Sequence, residues 1–300
     1  MKLLMTGASG MVGTALSFNL RAAGHTVVPL VRPPQLAGPG QAAWNPATGE
    51  IDPVAAHRTD AVVNLAGASI GGRRWSVKRK ELLRSSRIEM TRRLIDAMAR
   101  LEPRPGTLVS ASAIGYYGDR GDETLTETSQ PGEDFLAYLV RDWEAEARRA
   151  LELGVRTVIL RFGIILSAQG GALAQMLPPF RMGLGGRVGS GAQWTSWIAL
   201  ADATRLIREA LENDSWQGTF NAVAPQPVTN QDFTRTLGRI LGRPTLVPVP
   251  RFALRALFGE MADALLLASQ RVQPQRLVTA GYSYLYQELE PALRSVLAAG

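Results

Sequence analysis

Short apolar segments alternate with helical segments along the first half of the chain. Five of the apolar segments are predicted to be strands, at residues 1–5, 26–31, 61–66, 107–110 and 155–160. Helical stretches lie between them, near 78–101 and 134–153. Strands that alternate with helices at this spacing predict a parallel sheet that is covered on both faces. The predicted fold class is therefore α/β, with a Rossmann-type doubly wound parallel sheet.

The regular alternation ends after about residue 165. Glycines crowd between Gly170 and Gly191, and a helical stretch near 201–213 and a short strand near 219–223 follow. No polar linker separates this part from the first half. We therefore expect a Rossmann domain over residues 1–165, to which later segments return. Residues 166–300 are expected to form mainly a small, interwoven C-terminal lobe on the substrate side.

The first strand runs directly into a glycine-rich turn, TGASGMVG at residues 6–13, which opens a helix. Glycines allow the backbone to turn tightly and let a diphosphate approach the N-terminus of the helix, where free N–H groups and the helix dipole favour anions. The strand–turn–helix context favours dinucleotide binding over a purely structural turn. The predicted contact residues are Gly7, Ser9, Gly10, Met11, Val12 and Gly13.

The end of the second strand indicates which dinucleotide is bound. An NAD site usually has Asp or Glu there, to hold the ribose hydroxyls. This strand ends in Leu30-Val31-Arg32, and no acidic residue precedes Glu50. An arginine can bind a 2′-phosphate through charge-assisted hydrogen bonds. Arg32 therefore predicts NADP as the cofactor, with an ordinary exposed arginine as the alternative.

Composition excludes several classes of protein. With 46% hydrophobic and 20% charged residues, the chain is not disordered. Without cysteine it cannot hold a disulfide framework, a thiolate zinc site or a cysteine nucleophile. No apolar run approaches the ~20 residues that span a bilayer, and the N-terminus lacks a signal-peptide layout. We expect a cytoplasmic protein with no membrane partner and no metal.

The net charge of +7 comes from 33 Lys and Arg against 26 Asp and Glu. Basic residues cluster between Arg73 and Arg93, where Trp75 is the only aromatic residue. A nucleic-acid groove usually combines basic residues with exposed aromatic ones. The cluster therefore favours a solvated helix face, with an anionic ligand such as a nucleotide as the alternative, and nucleic acid is an unlikely partner.

Two more motifs follow the glycine turn in the order seen in a known superfamily. NLAG (64–67) ends the third strand, where small residues leave room for the adenosine side of a cofactor, and SASAIGYYGD (110–119) begins in the fourth. Together they resemble the extended branch of the short-chain dehydrogenase/reductases. The sequence also resembles, more closely than it does that branch as a whole, an atypical bacterial group, the epimerase family proteins, which are similar to nucleotide-sugar epimerases and have a human counterpart. Six further segments resemble the sequence pattern of this group: ASIGGRRWSVKRKELLRSSRIEMT (68–91), GEDFLAYLVRDWEAEA (132–147), RFGIILSAQGGAL (161–173), GLGGRVGSGAQWTSWIALAD (183–202), QPVTNQDFTRTLGR (226–239) and VQPQRLVTAGYSY (272–284).

This resemblance implies an NADP-binding Rossmann domain with a small C-terminal lobe, and no settled substrate. It also implies further cofactor contacts, at Leu65, Ala66, Gly67, Arg87 and Ile165. For Arg87, the alternative is one more solvated arginine on a basic helix. One departure is that members of the group commonly have a histidine in the stretch that here reads Trp197-Ile198-Ala199-Leu200. A histidine base in the C-terminal lobe is therefore absent.

The catalytic residues of the superfamily are only partly present. Ordinary members use a Tyr-x-x-x-Lys pair with a nearby serine, but this chain has no lysine after Lys80. Ser112 at a strand end is one candidate catalytic residue. Tyr138 is the other, although Asp142 follows it where lysine is expected, and a nearby negative charge raises the pKa of a phenol.

Several neighbouring residues have no assigned chemistry at this point. Tyr116 and Tyr117 would either line the nicotinamide pocket or pack in the interior. Trp143 and Glu144 are expected to serve packing and the helix surface, respectively.

The sequence thus predicts an NADP(H)-binding protein, with hydride transfer or epimerisation at a small or nucleotide-linked carbonyl or alcohol. The alternative is a non-catalytic NADP(H)-binding regulator that has lost the Tyr-x-x-x-Lys pair. RNA binding through the basic helix is a third, weaker alternative. The expected partner is an unidentified small-molecule substrate, and a homodimer is left open as the alternative to a single chain.

Overall fold

A computed structural model gives the structure of the chain and describes residues 1–32, 35 and 37–298. The strands are β1 (Lys2–Thr6), β2 (Thr26–Val31), β3 (Ala42–Asn45), β4 (Glu50–Ile51), β5 (Ala61–Asn64), β6 (Thr107–Ala113), β7 (Thr124–Leu125), β8 (Arg156–Phe162), β9 (Ile164–Leu166), β10 (Trp194–Thr195), β11 (Trp197–Ala199), β12 (Gly218–Ala222), β13 (Val228–Thr229) and β14 (Arg271–Val272).

The α-helices are α1 (Met11–Ala22), α2 (Pro53–Ala56), α3 (Val77–Arg84), α4 (Met90–Met98), α5 (Phe135–Arg148), α6 (Gly171–Arg181), α7 (Leu200–Glu212), α8 (Asn230–Leu241), α9 (Arg251–Phe258), α10 (Glu260–Ala262), α11 (Gln275–Thr279) and α12 (Leu289–Ala298). Two short 3₁₀ turns cover Ile114–Tyr117 and Arg149–Leu153. Two π-helical segments cover Ser85–Glu89, which joins α3 to α4, and Asp263–Leu267.

The main sheet has the strand order β12-β8-β6-β5-β1-β2-β3-β4. All neighbouring pairs are parallel except β3 and β4, which form an antiparallel edge. The chain moves outward from β1 in one direction through β2 and β3, and then in the other through β5, β6, β8 and β12. This double winding confirms the predicted Rossmann-type fold class.

Helices cover both faces of the sheet. On one face α1 and α7 pack together through buried residues such as Leu16, Leu20 and Ile207. On the other face α4 and α5 pack over the strands through residues such as Leu94 and Ala147. Because both faces are buried, the strands are almost continuously apolar.

The second half of the chain contributes to both parts of the molecule. α7 and β12 belong to the main sheet and its helical layer, whereas β9, β11, α6, α8 and α12 surround a separate apolar cluster. The C-terminal tail is fastened to α7, because the Asp202 carboxylate accepts hydrogen bonds from the backbone N–H groups of Leu285 and Tyr286. Within the described residues, no helix has both the length and the apolar character that crossing a bilayer requires.

Candidate functional site

A cavity of about 210 Å³ opens at the carboxyl edge of the main sheet, beside the point where the winding reverses between β1 and β5. Ligands of open α/β sheets bind at this kind of switch point. Its wall comes from the ends of the strands, the first turn of α1 and the inner face of α5. The lining residues are Val12, Leu65, Ala66, Gly67, Ile70, Arg87, Ala111, Ser112, Ala113, Val140, Trp143, Phe162 and Ile165.

The glycine turn between β1 and α1 shows a different requirement at each glycine. Gly7 has φ +69°, and a Cβ there would lie 2.7 Å from the carbonyl of Leu65. A Cβ on Gly13 would lie only 2.2 Å from the Gly7 oxygen. Gly10 differs, because its φ of −77° suits any residue. A Cβ added to Gly10 would contact only the Gly7 oxygen, at 3.3 Å. Gly7 and Gly13 thus shape the turn, whereas Gly10 leaves its outer side open for a ligand.

Thr6 holds the turn after β5 next to the glycine turn. Its hydroxyl donates to Asn64 Oδ1 (2.8 Å) and accepts from the backbone N–H groups of Leu65 (3.1 Å) and Ala66 (3.2 Å). This bonding fixes the NLAG segment, so that residues 65–67 form one wall of the cavity.

Arg87 reaches the cavity from the π-helical segment between α3 and α4. Its side chain is buried, with 8% of the residue exposed. The guanidinium donates to the carbonyl oxygens of Ala68 (Nη2, 2.9 Å) and Leu83 (Nη1, 3.5 Å), and it lies 5.4 Å from the Trp143 ring. Burial, with a smaller contribution from the charge of Arg79, lowers the pKa of Arg87 to about 10, so the group is still a cation at neutral pH.

The charge of Arg87 has no counter-ion in the described part of the chain, where no carboxylate lies within 4 Å of it. Its Nε is buried and has no hydrogen-bond partner there. An unpaired buried cation is costly unless a ligand supplies the anion. Together with the open side of Gly10, this fits a phosphate-bearing cofactor.

The remaining predicted cofactor residues lie around the same edge. Arg32 is exposed and directly follows β2, which is paired with β1. Ile165 lies in β9 and lines the cavity. Met11, in the first turn of α1, packs against the glycine pair at the start of α6, since a Cβ on Gly170 would lie 3.2 Å from its Sδ. Ser9 is exposed on the glycine turn.

Ser112 contributes to the cavity wall, but its hydroxyl belongs to a buried polar network. It donates to Glu144 Oε1 (2.6 Å), and Glu144 is paired with Arg161 through contacts of 2.7 and 2.8 Å. Arg161 also donates to the Tyr117 hydroxyl (3.0 Å), which donates to Asn221 Oδ1 (2.7 Å). The expectation that Glu144 lies on the helix surface is therefore wrong, because the residue is 1% exposed.

The charge state of Glu144 follows from these contacts. Burial alone raises the pKa of its carboxyl, but the hydrogen bonds and charge of Arg161, together with Ser112 and Arg148, outweigh burial and hold the pKa below its usual range. A carboxylate can only accept hydrogen bonds, so the Ser112 proton points at Glu144. Ser112 can therefore meet a ligand only as an acceptor.

Tyr138 is not brought to the cavity. It lies on the outer side of α5, 41% exposed, with the Arg141 guanidinium 4.9 Å from its ring centre. The residues of α5 that line the cavity are Val140 and Trp143. Residues four apart share a helix face, and Leu136, one turn before Val140, is buried and apolar. No tyrosine–lysine pair stands at these two positions of α5.

The two tyrosines after β6 pack rather than line the cavity. Tyr117 is fully buried beside Leu125, Val223 and Val272, and burial raises the pKa of its phenol to about 12. Sequence reasoning missed several residues of the wall: Ile70, Ala111, Ala113, Val140 and Phe162. Trp143, which was expected only to pack, lines the cavity and donates from Nε1 to Thr91 (3.0 Å).

Comparisons with known families agree with this geometry. Residues 3–222 match the NAD dependent epimerase/dehydratase family. Residues 249–296 match a second family, described as a domain of unknown function (DUF1731). The chain is 44% identical over 289 residues to an epimerase family protein of Mycobacterium bovis, covering 96% of this chain and 95% of the relative.

Two solved structures are also similar along the chain. The crystal structure of human epimerase family protein SDR39U1 with NADPH superposes with a TM-score of 0.92 at 36% identity, covering 99% of each chain. The nucleoside-diphosphate sugar epimerase of Corynebacterium glutamicum superposes with a TM-score of 0.81 at 34% identity, covering all of this chain and 58% of that one.

Proposed function

The chain belongs to the NAD dependent epimerase/dehydratase family, and on that premise we propose that it binds NADP(H) at the carboxyl edge of its sheet. Its proposed activity is that of an oxidoreductase or epimerase on a small or nucleotide-linked carbonyl or alcohol. Membership confirms the sequence resemblance to the atypical extended short-chain dehydrogenase/reductases. The observation that carries the proposal is one sheet edge that combines an open glycine turn with the buried Arg87, which has no carboxylate partner among the described residues.

Separate groups of the chain would hold each part of the cofactor. The glycine turn and the first N–H groups of α1 suit the diphosphate, since such groups have no partner within the helix. Arg32 suits the 2′-phosphate, and Val12 and Ile165 offer apolar surface to the nicotinamide ring. Bound NADP(H) would supply or accept a hydride at that ring.

The protein offers little help with proton transfer, which a carbonyl reduction also needs. Three cavity residues carry exchangeable side-chain hydrogens: Arg87, Ser112 and Trp143. Arg87 is a cation with a pKa of about 10. The Ser112 hydroxyl already donates its hydrogen bond to Glu144, and the Trp143 indole N–H already donates to Thr91. We therefore propose that the proton comes from solvent or from the substrate. Ser112 would orient the substrate by accepting a hydrogen bond from it.

A second candidate function is a non-catalytic NADP(H)-binding regulator. The α5 wall of the cavity favours it, because the two residues that line the cavity there, Val140 and Trp143, include neither a tyrosine nor a lysine. In that case NADP(H) binding alone would be the function, and a conformational change would carry the signal.

Turnover distinguishes the two candidates. The purified protein is mixed with NADPH and a panel of aldehydes, ketones and nucleotide-linked sugars, and oxidation of NADPH is followed by its absorbance. An enzyme consumes NADPH with at least one compound at a rate that scales with protein concentration. Saturable NADPH binding without consumption across the panel would support the regulator instead.

Arg32→Ala should change the cofactor preference. NADPH is expected to bind the unmodified chain at least tenfold more tightly than NADH, which corresponds to about 1.4 kcal/mol. The substitution removes the cation that faces the 2′-phosphate, so it should weaken NADPH about tenfold and NADH less than twofold, within the range of charge-assisted hydrogen bonds. Titrations by cofactor fluorescence measure both. Equal weakening of the two cofactors would remove Arg32 from the site.

Tyr138→Phe should be nearly silent. The Tyr138 ring is half exposed on the outer side of α5, so loss of its hydroxyl should change NADPH affinity and any kcat/KM by less than about threefold, unlike the ~10²-fold or greater loss typical of a proton-transfer group. Ser112→Ala, on the cavity wall, provides the comparison. A large loss with Tyr138→Phe alone would show that this tyrosine is activated in an unexpected way.

A small-molecule substrate and a second copy of the chain remain the proposed partners. Nucleic acid is not proposed, because two arginines of the basic helices already form ion pairs. Arg84 pairs with Asp142 (3.1 Å), and Arg92 pairs with Glu146. Location in the cytosol stays a prediction.

A further inference from the structure

The hydrogen bonds that hold the Ser112 hydroxyl have a fixed direction. Arg161 donates to both oxygens of Glu144, from Nε to Oε1 (2.7 Å) and from Nη2 to Oε2 (2.8 Å). Arg148 also donates to Oε2 (2.7 Å), and Ser112 donates to Oε1 (2.6 Å). A guanidinium can only donate and a carboxylate can only accept. The direction of the bond from Ser112 therefore cannot reverse while Glu144 is ionised.

The groups that set this direction are held in place. Arg161 and Glu144 are buried, with side chains 3% and 0% exposed. Arg161 also donates from Nη1 to the Tyr117 hydroxyl (3.0 Å), and its guanidinium lies 3.4 Å from the ring centre of Tyr116. These contacts join β8, α5 and the 3₁₀ turn after β6. The Ser112 proton is therefore kept on the side of Glu144.

The Ser112 oxygen keeps its acceptor capacity for a ligand. A hydroxyl oxygen has two lone pairs in addition to its proton. Among the described residues, none donates a hydrogen bond to Ser112 Oγ. The other lining residues of the cavity have no side-chain acceptor, because they are apolar or glycine apart from Arg87 and Trp143, which can only donate. In the described wall, Ser112 Oγ is thus the one side-chain acceptor.

The two remaining donors of the wall are already engaged. The Trp143 N–H donates to Thr91 (3.0 Å). The Arg87 guanidinium donates to the Ala68 oxygen (2.9 Å), and in the proposed function its charge faces the cofactor. A carbonyl substrate would therefore find no side-chain donor of its own in this wall.

We propose that Glu144 and Arg161 make the site selective for a hydroxyl group, so that the substrate is bound as an alcohol. This assignment rests on the proposed function and deepens it, because that function leaves carbonyl and alcohol substrates open. An alcohol donates its hydrogen bond to Ser112 Oγ. A carbonyl oxygen cannot donate, so it would face the lone pairs of Ser112 and lose a bond that water provides. Glu144 does not line the cavity and is a positioning residue that acts through Ser112.

Pairs of ligands that differ only in this group test the assignment. Cyclohexanol is compared with cyclohexanone, and 1-phenylethanol with acetophenone, by saturation-transfer NMR against the full chain. The chain is loaded with 1,4,5,6-tetrahydro-NADP, a reduced cofactor that transfers no hydride, so binding is measured without turnover. We expect each alcohol to bind at least tenfold more tightly than its ketone, since the alcohol gains a hydrogen bond and the ketone leaves an acceptor unpaired.

Two variants separate the acceptor from the group that orients it. Ser112→Ala removes the acceptor and leaves the pair of Glu144 and Arg161 intact. It should weaken the alcohols about tenfold and the ketones less than twofold, so that the preference disappears. Glu144→Gln supplies an amide that can donate to Ser112, which frees the Ser112 proton to point into the cavity. That variant should bind each ketone more tightly, relative to its alcohol, than the unmodified chain does.

Thermal melting shows which variants are folded, and Ser112→Ala decides alone if Glu144→Gln is not. Trp143→Phe is the matched control, because it alters the same wall outside this network and should change both members of a pair by the same factor. Ketones that bind the unmodified chain as tightly as their alcohols would overturn the assignment. So would equal weakening of both by Ser112→Ala, or binding by no member of either pair. Failure of the proposed function differs, since the chain would then not bind NADPH itself.

Discussion

Gly10→Val should abolish NADPH binding and leave the fold intact. The backbone at Gly10 has φ −77° and ψ 168°, an extended conformation that valine adopts readily. Within the protein, its Cβ would meet only the Gly7 oxygen, at 3.3 Å. The branched side chain would instead fill the space through which a diphosphate approaches α1. We expect the affinity for NADPH to fall at least ~100-fold, or about 2.7 kcal/mol.

Titration by cofactor fluorescence measures this loss, and the melting temperature shows whether the fold survives. Gly13→Ala is a useful contrast, because its Cβ would lie 2.2 Å from the Gly7 oxygen and must distort the turn itself. That variant should lose stability and binding together. If Gly10→Val is folded and binds NADPH normally, the glycine turn is structural only.

Glu144→Ala should be among the most destabilising single substitutions in the chain. It removes the partner of Arg161, whose side chain is 3% exposed, and leaves a buried cation without its counter-ion. Breaking a buried pair in this way costs about 3–5 kcal/mol of unfolding free energy. It also releases the hydroxyl of Ser112 and disturbs the bond from Arg161 to Tyr117. Urea or thermal unfolding measures the loss.

Asp142→Ala, two residues earlier on α5, is the matched control. Its pair with Arg84 is 3.1 Å long, but both side chains are one-third or more exposed, so its loss should cost less than ~1 kcal/mol. A cost of Glu144→Ala no greater than that of Asp142→Ala would show that the buried network contributes little stability.

The effect of Glu144 should also depend on pH, with a definite sign. Because its pKa in the folded protein is held below the usual carboxyl value, its contribution is fully present above the unfolded pKa of about 4.3. The contribution is lost as the pH falls through the lower, folded pKa. The difference in stability between the unmodified chain and Glu144→Gln should therefore shrink under acidic conditions and stay constant near neutral pH.

Local patterns sufficed to predict the sheet and the glycine turn. Short apolar strands and the turn at residues 6–13 are specified by neighbouring residues, so the fold class and the position of the glycine turn follow directly. The prediction for Arg32 rests on the same kind of local pattern, because this residue directly follows β2. The lengths of the elements were less certain, since β6 continues to Ala113 beyond the predicted 107–110.

The analogy with the Tyr-x-x-x-Lys motif did not predict which face of α5 is buried. The spacing of the apolar residues in this helix does predict it. Leu136, Val140, Trp143 and Ala147 follow one another at helical spacing and mark the buried face. Tyr138 lies two residues from Leu136 and therefore on the opposite side, because each residue turns the helix by about 100°. Placing Tyr138 by its approximate position relative to a superfamily tyrosine overlooked this face.

The buried network was missed because its members are far apart in sequence. Glu144 comes from α5, Arg161 from β8 and Asn221 from β12, and only the folded sheet brings them together. One signal was available, since Arg161 is a charged residue that directly follows the apolar run Val158-Ile159-Leu160 within β8. A charge in such a strand predicts a buried partner without naming it.

Isothermal titration of the unmodified chain with NADPH, and then with NADH, tests the central claim most directly. We predict saturable binding of NADPH at one site per chain, and at least tenfold weaker binding of NADH. Absence of saturable NADPH binding by a folded chain would contradict the claim that this sheet edge is an NADP(H) site.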